Sequence, residues 1–334
     1  MKHLKRKPLS FWLCLGGLLL AAALVLSLLM PSRDLSAGEL FAALRTGDRT
    51  GLAGRILFGV RFPRAAACVL CGIGLSLSGL LLQASLNNSL MAPGIVGINA
   101  GAGLFVLISG ILFPGVVLAK SVFSFLGAFF AVLLVYAIAV FAGVSKTSLI
   151  LAGLAVSYLF NAVTYMLITW RPELVSDKAS FTLGGFSQVS GASVRFILPI
   201  LILGLVITFL LSPGIDLFLL GDETAAGLGL PVNAVRMGCL FAATLLAGAS
   251  VALCGLLGFV GLIIPNLVRL LSGSRFRVNA VLCVLFGPAF VLLCDTAARG
   301  IFYPYELPAG MILSVIGTPF FIAVLIRRRK KLSV

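Results

Sequence analysis

From Ala65 to Ala119 the chain carries no Asp, Glu, Lys or Arg. A helix needs roughly 20 apolar residues to cross about 30 Å of hydrocarbon, so this single stretch holds two crossings. Lipid offers the backbone no hydrogen bonds, and the apolar runs lack the period-2 alternation of barrel strands, so the crossings are helices. Apolar runs continue along the chain, in which 60% of all 334 residues are hydrophobic and 10% charged. A soluble domain is about a quarter charged. The expected fold class is an all-α polytopic membrane protein, one transmembrane domain over residues 1–334 with its membrane core at 9–326.

Lys2, Lys5, Arg6 and Lys7 precede an apolar run from Leu9 to Met30, too long for a signal-peptide core and without a small-residue cleavage site. It reads as the first membrane helix, its basic tail in the cytoplasm. Residues 31–64 are polar and lie outside, with an amphipathic turn around Leu40 to Leu44. Further spans fall near 62–83, 93–112, 118–142, 148–169, 196–211, 235–254, 279–297 and 308–326, with a short, irregular helix around Gly255 to Arg269 where Pro265 interrupts. A short helix at the outer mouth is expected at Phe181 to Phe186, too apolar for a plain loop. About ten spans return both termini to one side, and the basic ends, the second being Arg327, Arg328, Arg329, Lys330 and Lys331, place that side in the cytoplasm. Gly72, Gly74, Gly79, Gly94, Gly97, Gly101 and Gly103 are small residues of the kind that let helix backbones approach closely in lipid.

Much chemistry is missing. The net charge of +15 is dispersed at the ends of apolar runs, which speaks for topology and against nucleic acid. Seven cysteines lie in or beside apolar runs and read as packing residues, and Cys68-x-x-Cys71 has no histidine near it for a metal site. His3 is the only histidine, no carboxylates pair across apolar helices and no serine has a nucleophile's setting, so the chain is not expected to be an enzyme. The run Gly143-Val-Ser-Lys146-Thr147 lacks the glycine before lysine and the preceding strand of a phosphate loop. Carriers driven by ions keep charges in mid-membrane at a cost of roughly 2.5–3.5 kcal/mol each, and such charges are absent here. A carrier or channel working alone is therefore the weaker reading, and a receptor weaker still for want of a soluble sensing domain. The energy should come through Leu219 to Arg236, a polar island between two apolar runs. Asp222 and Glu223 open it, and Gly229 and Pro231 break its helix, a shape suited to a partner's grip. On the fifth span Asn161, Thr164, Tyr165 and Thr169 recur at helical spacing as a mildly polar stripe, open to a pathway role or to interhelical hydrogen bonding.

Several motifs, in order, carry a family resemblance. They are Arg61-Phe-Pro-Arg64, Ser78-Gly79 with Gln83, the loop Asn88 to Pro93, Leu220-Gly-Asp-Glu with Leu228-Gly-Leu-Pro231, and Gly258-Phe-Val-Gly-Leu262 with Pro265 and Arg269. Asp295 with Arg299, Glu306-Leu-Pro308-Ala-Gly310 and Gly317-Thr-Pro319-Phe-Phe321 complete the set. From about Arg61 to Phe321 the chain resembles the FecCD-type permeases of ABC importers for iron-siderophores, haem and cobalamin. The resemblance implies a type II importer fold of ten helices and two permease copies, or a copy and a close paralogue, around one pathway. It further implies two cytoplasmic ATPase subunits, which use the ATP and Mg that this chain does not bind, and an extracytoplasmic substrate-binding lipoprotein or periplasmic protein. By the same resemblance Gly221, Asp222, Glu223, Ala226, Leu228, Gly229 and Pro231, within a coupling region at 212–236, dock on the ATPase. Arg61, Arg64 and Arg299 match docking arginines for the binding protein. Asn88, Ser89, Leu90, Lys146, Thr147 and Ser148 match the cytoplasmic gate, and the helix of Asn161, Thr164 and Tyr165 lines the pathway. Departures are Asn87-Asn88-Ser89-Leu90-Met91 for the usual Arg-Asn-Pro-Leu-Ala, Asp222 for Glu, Asn266 for His and Phe181 for Trp. They leave the fold intact and blur the substrate, for which an iron-siderophore is expected ahead of haem or cobalamin.

Overall fold

The computed structural model describes residues 8–30, 35–141, 143, 145–218, 221–273 and 275–332, with side chains described as far as residue 322. The basic N-terminal tail with His3, Leu219 and Leu220 of the island, and the side chains of Arg327 to Lys331 lie outside the described residues.

The first span is α1 (Leu9–Leu29). The expected amphipathic turn is a full helix, α2 (Ala37–Thr46). Ser36 accepts from the Glu39 N–H while Glu39 accepts from the Ser36 N–H, and Gly47 ends the helix in the left-handed region. Next comes α3 (Leu52–Ile56), continued by a π turn at Leu57–Arg61 into α4 (Phe62–Ser85). A 3-10 turn at Pro93–Val96 leads to α5 (Ile98–Leu112), then α6 (Val117–Phe141) and α7 (Lys146–Trp170). The helix expected at Phe181 to Phe186 lies earlier, as α8 (Val175–Leu183). Asp177 in its first turn favours that start, and Gly184, at φ 61°, stops it.

The chain continues through α9 (Gly191–Phe218), α10 (Asp222–Gly227), α11 (Val232–Cys254), α12 (Val260–Ser272), α13 (Phe276–Gly300) and α14 (Ala309–Leu332). Among the described residues seven helices are long and apolar enough to cross a membrane, and three shorter apolar ones, α5, α12 and the part of α14 to Ile322, complete the expected ten.

α4 and α11 are the most buried spans and form the axis of the bundle, with α13, α9 and α12 against α4. The fit of α4 depends on bare backbone: a Cβ at Gly79 would collide with the Gly261 carbonyl of α12, and one at Gly72 with Gly287 and Pro288 of α13.

The segment expected to be irregular is so only from Gly255 to Phe259, which have φ of 69° and 66°; from Val260 to Ser272 it is a continuous helix, and the reason is local. Pro265 has no N–H to give the Gly261 carbonyl one turn back. That carbonyl instead accepts from Gln83 Nε2 of α4 at 3.0 Å. The proline's missing bond thus becomes an interhelical one, and α12 need not break.

Candidate coupling and gating site

α9 runs 28 residues, past the expected end of its span, and delivers the chain to Gly221, whose φ of 97° suits glycine and turns it into α10. At the far end the Gly229 N–H donates to Ala226 O and the Leu230 N–H to Ala225 O. This pair of bonds is a Schellman closure, with Gly229 at φ 84° as its left-handed residue. Pro231 then starts α11. Ala225 is buried and anchors the island, while Glu223, Ala226, Leu228, Gly229 and Pro231 form its exposed side. Leu228 is 61% exposed, an apolar knob at the tip.

Asp222 does not join that exposed side. Its Oδ2 accepts from Arg236 Nη2 at 2.7 Å and lies 3.0 Å from Lys146 Nζ. Arg236 is 3% exposed. Its Nε donates to the Ser85 carbonyl at the end of α4, and its guanidinium lies 5.8 Å from the Phe218 ring centroid. Partial burial pushes the Asp222 carboxyl up, but the hydrogen bonds and charges of Lys146 and Arg236 outweigh it and hold the carboxyl below its usual range.

The two groups of residues expected at the gate flank this cluster. Lys146, Thr147 and Ser148 are the first turn of α7, begun by a reciprocal pair in which Ser145 Oγ accepts from the Ser148 N–H and Ser148 Oγ from the Ser145 N–H. Asn88, Ser89 and Leu90 form a turn just past α4: Asn88 N–H donates to Gln83 O, Leu90 N–H to Asn88 Oδ1, and the Ser89 carbonyl accepts from Asn266 Nδ2 of α12. Gln83, Asn88, Ser89, Arg269, Ile215 and Phe276 help line a mixed polar and apolar pocket of about 190 Å³ there.

On α7 the expected stripe splits. Tyr165 is 67% exposed, Asn161 is half-buried and Thr164 is 1% exposed, facing into the subunit with no hydrogen bond among the described residues. Three residues apart on a helix of 3.6 per turn do not quite share a line, and α5 and α6 cover Thr164's side of α7.

At the opposite end of the bundle the three arginines are brought together below the surface. Arg64 grips Asp295 through Nε and Nη2, at 3.1 and 3.0 Å, and Glu306 through Nη1 at 2.7 Å. Arg299 is in ion-pair range of Asp295 at 3.4 Å and donates to the Ser27 carbonyl and hydroxyl of α1. Arg61 donates to the Leu28 and Met30 carbonyls, which the end of α1 leaves unpaired. Asp295 is fully buried, whereas the Glu306 side chain is 47% exposed. Arg61, Arg64 and Arg299 thus tie α1, α4 and α13 together rather than standing free around a mouth.

The sequence motifs hold Asp295 together with Arg299 but give no role to Arg236 or Ser85. The one available signal was Arg236 itself, a cation placed one turn inside an otherwise apolar helix, where a buried partner is required.

Among known proteins the chain matches the FecCD transport family over residues 19–327. It is 36% identical over 267 residues to the Fe(3+)-citrate import system permease protein YfmD of Bacillus subtilis, covering 80% of each chain. It is 35% identical over 328 residues to the achromobactin transport system permease protein CbrC of Dickeya dadantii, covering 94% of this chain and 91% of that one. Among solved structures, an inward-facing metal-chelate type ABC transporter superposes with a TM-score of 0.83 at 28% identity, covering 94% of this chain and 98% of that one. The family match spans nearly the whole chain and the superposed fold covers almost all of it, and the chain belongs to the FecCD transport family.

Proposed function

We propose that the chain is the translocating subunit of an ABC importer that takes an iron chelate, foremost an iron-siderophore, from a binding protein and passes it through the cytoplasmic membrane of a bacterium. It works as two copies, or as one copy beside a close paralogue. Two separate ATPase subunits bind the ATP and Mg and supply the energy. The carrying observation is family membership across nearly the whole chain, in relatives whose names state ferric citrate and achromobactin transport. The exposed side of the island, Glu223, Ala226, Leu228, Gly229 and Pro231, supports an ATPase contact, and this reading puts that side, with both termini, in the cytoplasm. Its backbone is closed by its own hydrogen bonds, so it presents one shape.

In the same reading the binding protein, a lipoprotein or periplasmic protein, docks at the opposite end. There Arg61, Arg64 and Arg299 act from beneath, holding α1, α4 and α13 in place under the exposed Glu306. The gate is formed by Asn88, Ser89 and Leu90 with Lys146, Thr147 and Ser148, and the outward side of α7 around Tyr165 lines the pathway.

The experiment is co-purification followed by uptake. Tagged chain should bring down an ATPase, and vesicles holding that complex with its binding protein should accumulate radiolabelled iron from ferric citrate or a ferric siderophore, dependent on ATP. Haem and cobalamin belong in the same panel. Uptake that persists without any ATPase would make the chain a carrier or channel and overturn the reading.

A further inference from the structure

Asp222 opens the coupling island, yet its carboxylate points back into the protein, and one oxygen serves two cations from different helices. The two arms are unlike. The Arg236 side chain is 4% exposed, with a second hydrogen bond to the Ser85 carbonyl and the Phe218 ring beside it. A charge so buried is not easily parted from its partner. Lys146 and Asp222 are each about a third exposed at their side chains, 33% and 37%, so their contact is screened by water and salt and opens readily.

Lys146 is also oddly placed for its own helix. It lies in the first turn of α7, where the helix dipole disfavours a cation, and the Ser145 and Ser148 pair already satisfies that turn. Local helix formation gives no reason for a lysine here. The carboxylate of Asp222 does, since it offsets both the lysine and the positive end of α7.

Resting on the importer reading, we propose that Asp222 is a positioning residue, held by Arg236 on α11 and latched reversibly to Lys146, through which displacement of the coupling island is passed to the gate turn of α7. The Arg236 arm stays closed through the cycle and makes α10 and the start of α11 one body. The Lys146 arm stays closed while the island is displaced between the nucleotide-free and nucleotide-trapped states, drawing α7 along, and opens only as the complex resets. Asp222 therefore contributes to coupling without touching the ATPase, in contrast to its neighbour Glu223 on the exposed side.

The test uses the full complex in lipid vesicles, with the exposed Cys14 replaced and spin labels at Asn233 on α11 and Leu151 on α7, both exposed. Three forms are compared: wild type, Lys146→Gln, and Lys146→Arg, which keeps the charge. In wild type and Lys146→Arg the distance between labels should stay narrow between the nucleotide-free and vanadate-trapped states. In Lys146→Gln it should broaden on trapping, with roughly 2- to 5-fold more ATP hydrolysed per iron transported, the size expected of a part-exposed pair. High salt should bring wild type toward Lys146→Gln as the screening length falls to about 3 Å at 1 M.

The ATPase should co-purify equally with all three. Its loss from Lys146→Gln would make the cluster a docking contact, and equal distance distributions and coupling ratios in all three would make it structural only. Either result overturns the proposal. A wild-type chain that recruits no ATPase would instead overturn the importer reading.

Discussion

Asp295 has no exposed surface and faces Arg64 and Arg299 together, with Glu306 as Arg64's second partner. Removing one side of a buried pair leaves the other charged and dry, which costs about 3–5 kcal/mol, whereas a part-exposed partner is worth about 0–1 kcal/mol. Asp295→Ala is therefore expected to lower the melting temperature in detergent sharply or abolish folded protein, and Glu306→Gln to leave it nearly unchanged. Equal, small effects of both would show that the knot carries no stability. The same burial changes what charge reversal at Arg64 or Arg299 must do. An exposed docking arginine would affect only the encounter with a binding protein, but here a reversed charge would face Asp295 in the interior. Loss of fold is expected first, and docking is better probed at Glu306.

Two elements depend on single backbone features. In α12, Gln83 replaces the hydrogen bond that Pro265 cannot make. Gln83→Leu orphans the Gly261 carbonyl, at about 1–3 kcal/mol. Adding Pro265→Ala supplies an N–H to that carbonyl and should recover part of the loss. Thermal unfolding of the two single variants and the double variant measures this coupling, and strict additivity would refute it. In the island, Gly229 has φ 84° and open space around its Cα. Gly229→Ala thus meets no clash, only the roughly 1–2 kcal/mol of a left-handed L-residue. Spans should stay folded while ATP hydrolysis and uptake become less tightly linked, read as ATP spent per iron accumulated. An unchanged ratio would mean that this turn need not be rigid.

The number of spans and the glycine–proline turn were legible from the sequence because apolar runs and breakers are local signals. The regularity of α12 was not, since the partner of its freed carbonyl lies on α4, far away in sequence. Nor was the inward turn of Asp222, because an acidic residue at a helix start reads alike whether it faces solvent or a buried arginine.

In the importer reading, it is at the scale of the whole molecule that one side of α7 is chosen to meet a second copy. The helix has an outward side of large residues, Leu151, Tyr158, Leu159, Tyr165 and Met166, all more than half exposed, while Thr164 is closed off within the subunit. Apolar exposure alone suits lipid as well as protein, since bilayer tails are as apolar as leucine. Tyrosine separates the two, because a phenol hydroxyl at mid-span in hydrocarbon lacks a partner, whereas beside a pathway it meets water or substrate. Tyr158 and Tyr165 lie seven positions apart, about two turns on one side of α7. With Cys14 replaced as the exposed native thiol, Tyr165→Cys should form a disulfide-linked or bis-maleimide-linked pair of permease chains in the membrane, and Thr164→Cys should not. Iron chelate bound in the pathway should slow the Tyr165→Cys reaction and leave a control at Phe130 on α6, which is 45% exposed, unaffected. Cross-linking at position 164 with none at 165 would require α7 to be rotated so that Thr164 faces outward. Reaction of neither, with position 165 accessible only to membrane-soluble reagents, would assign the tyrosine side to lipid and move the pathway to another helix.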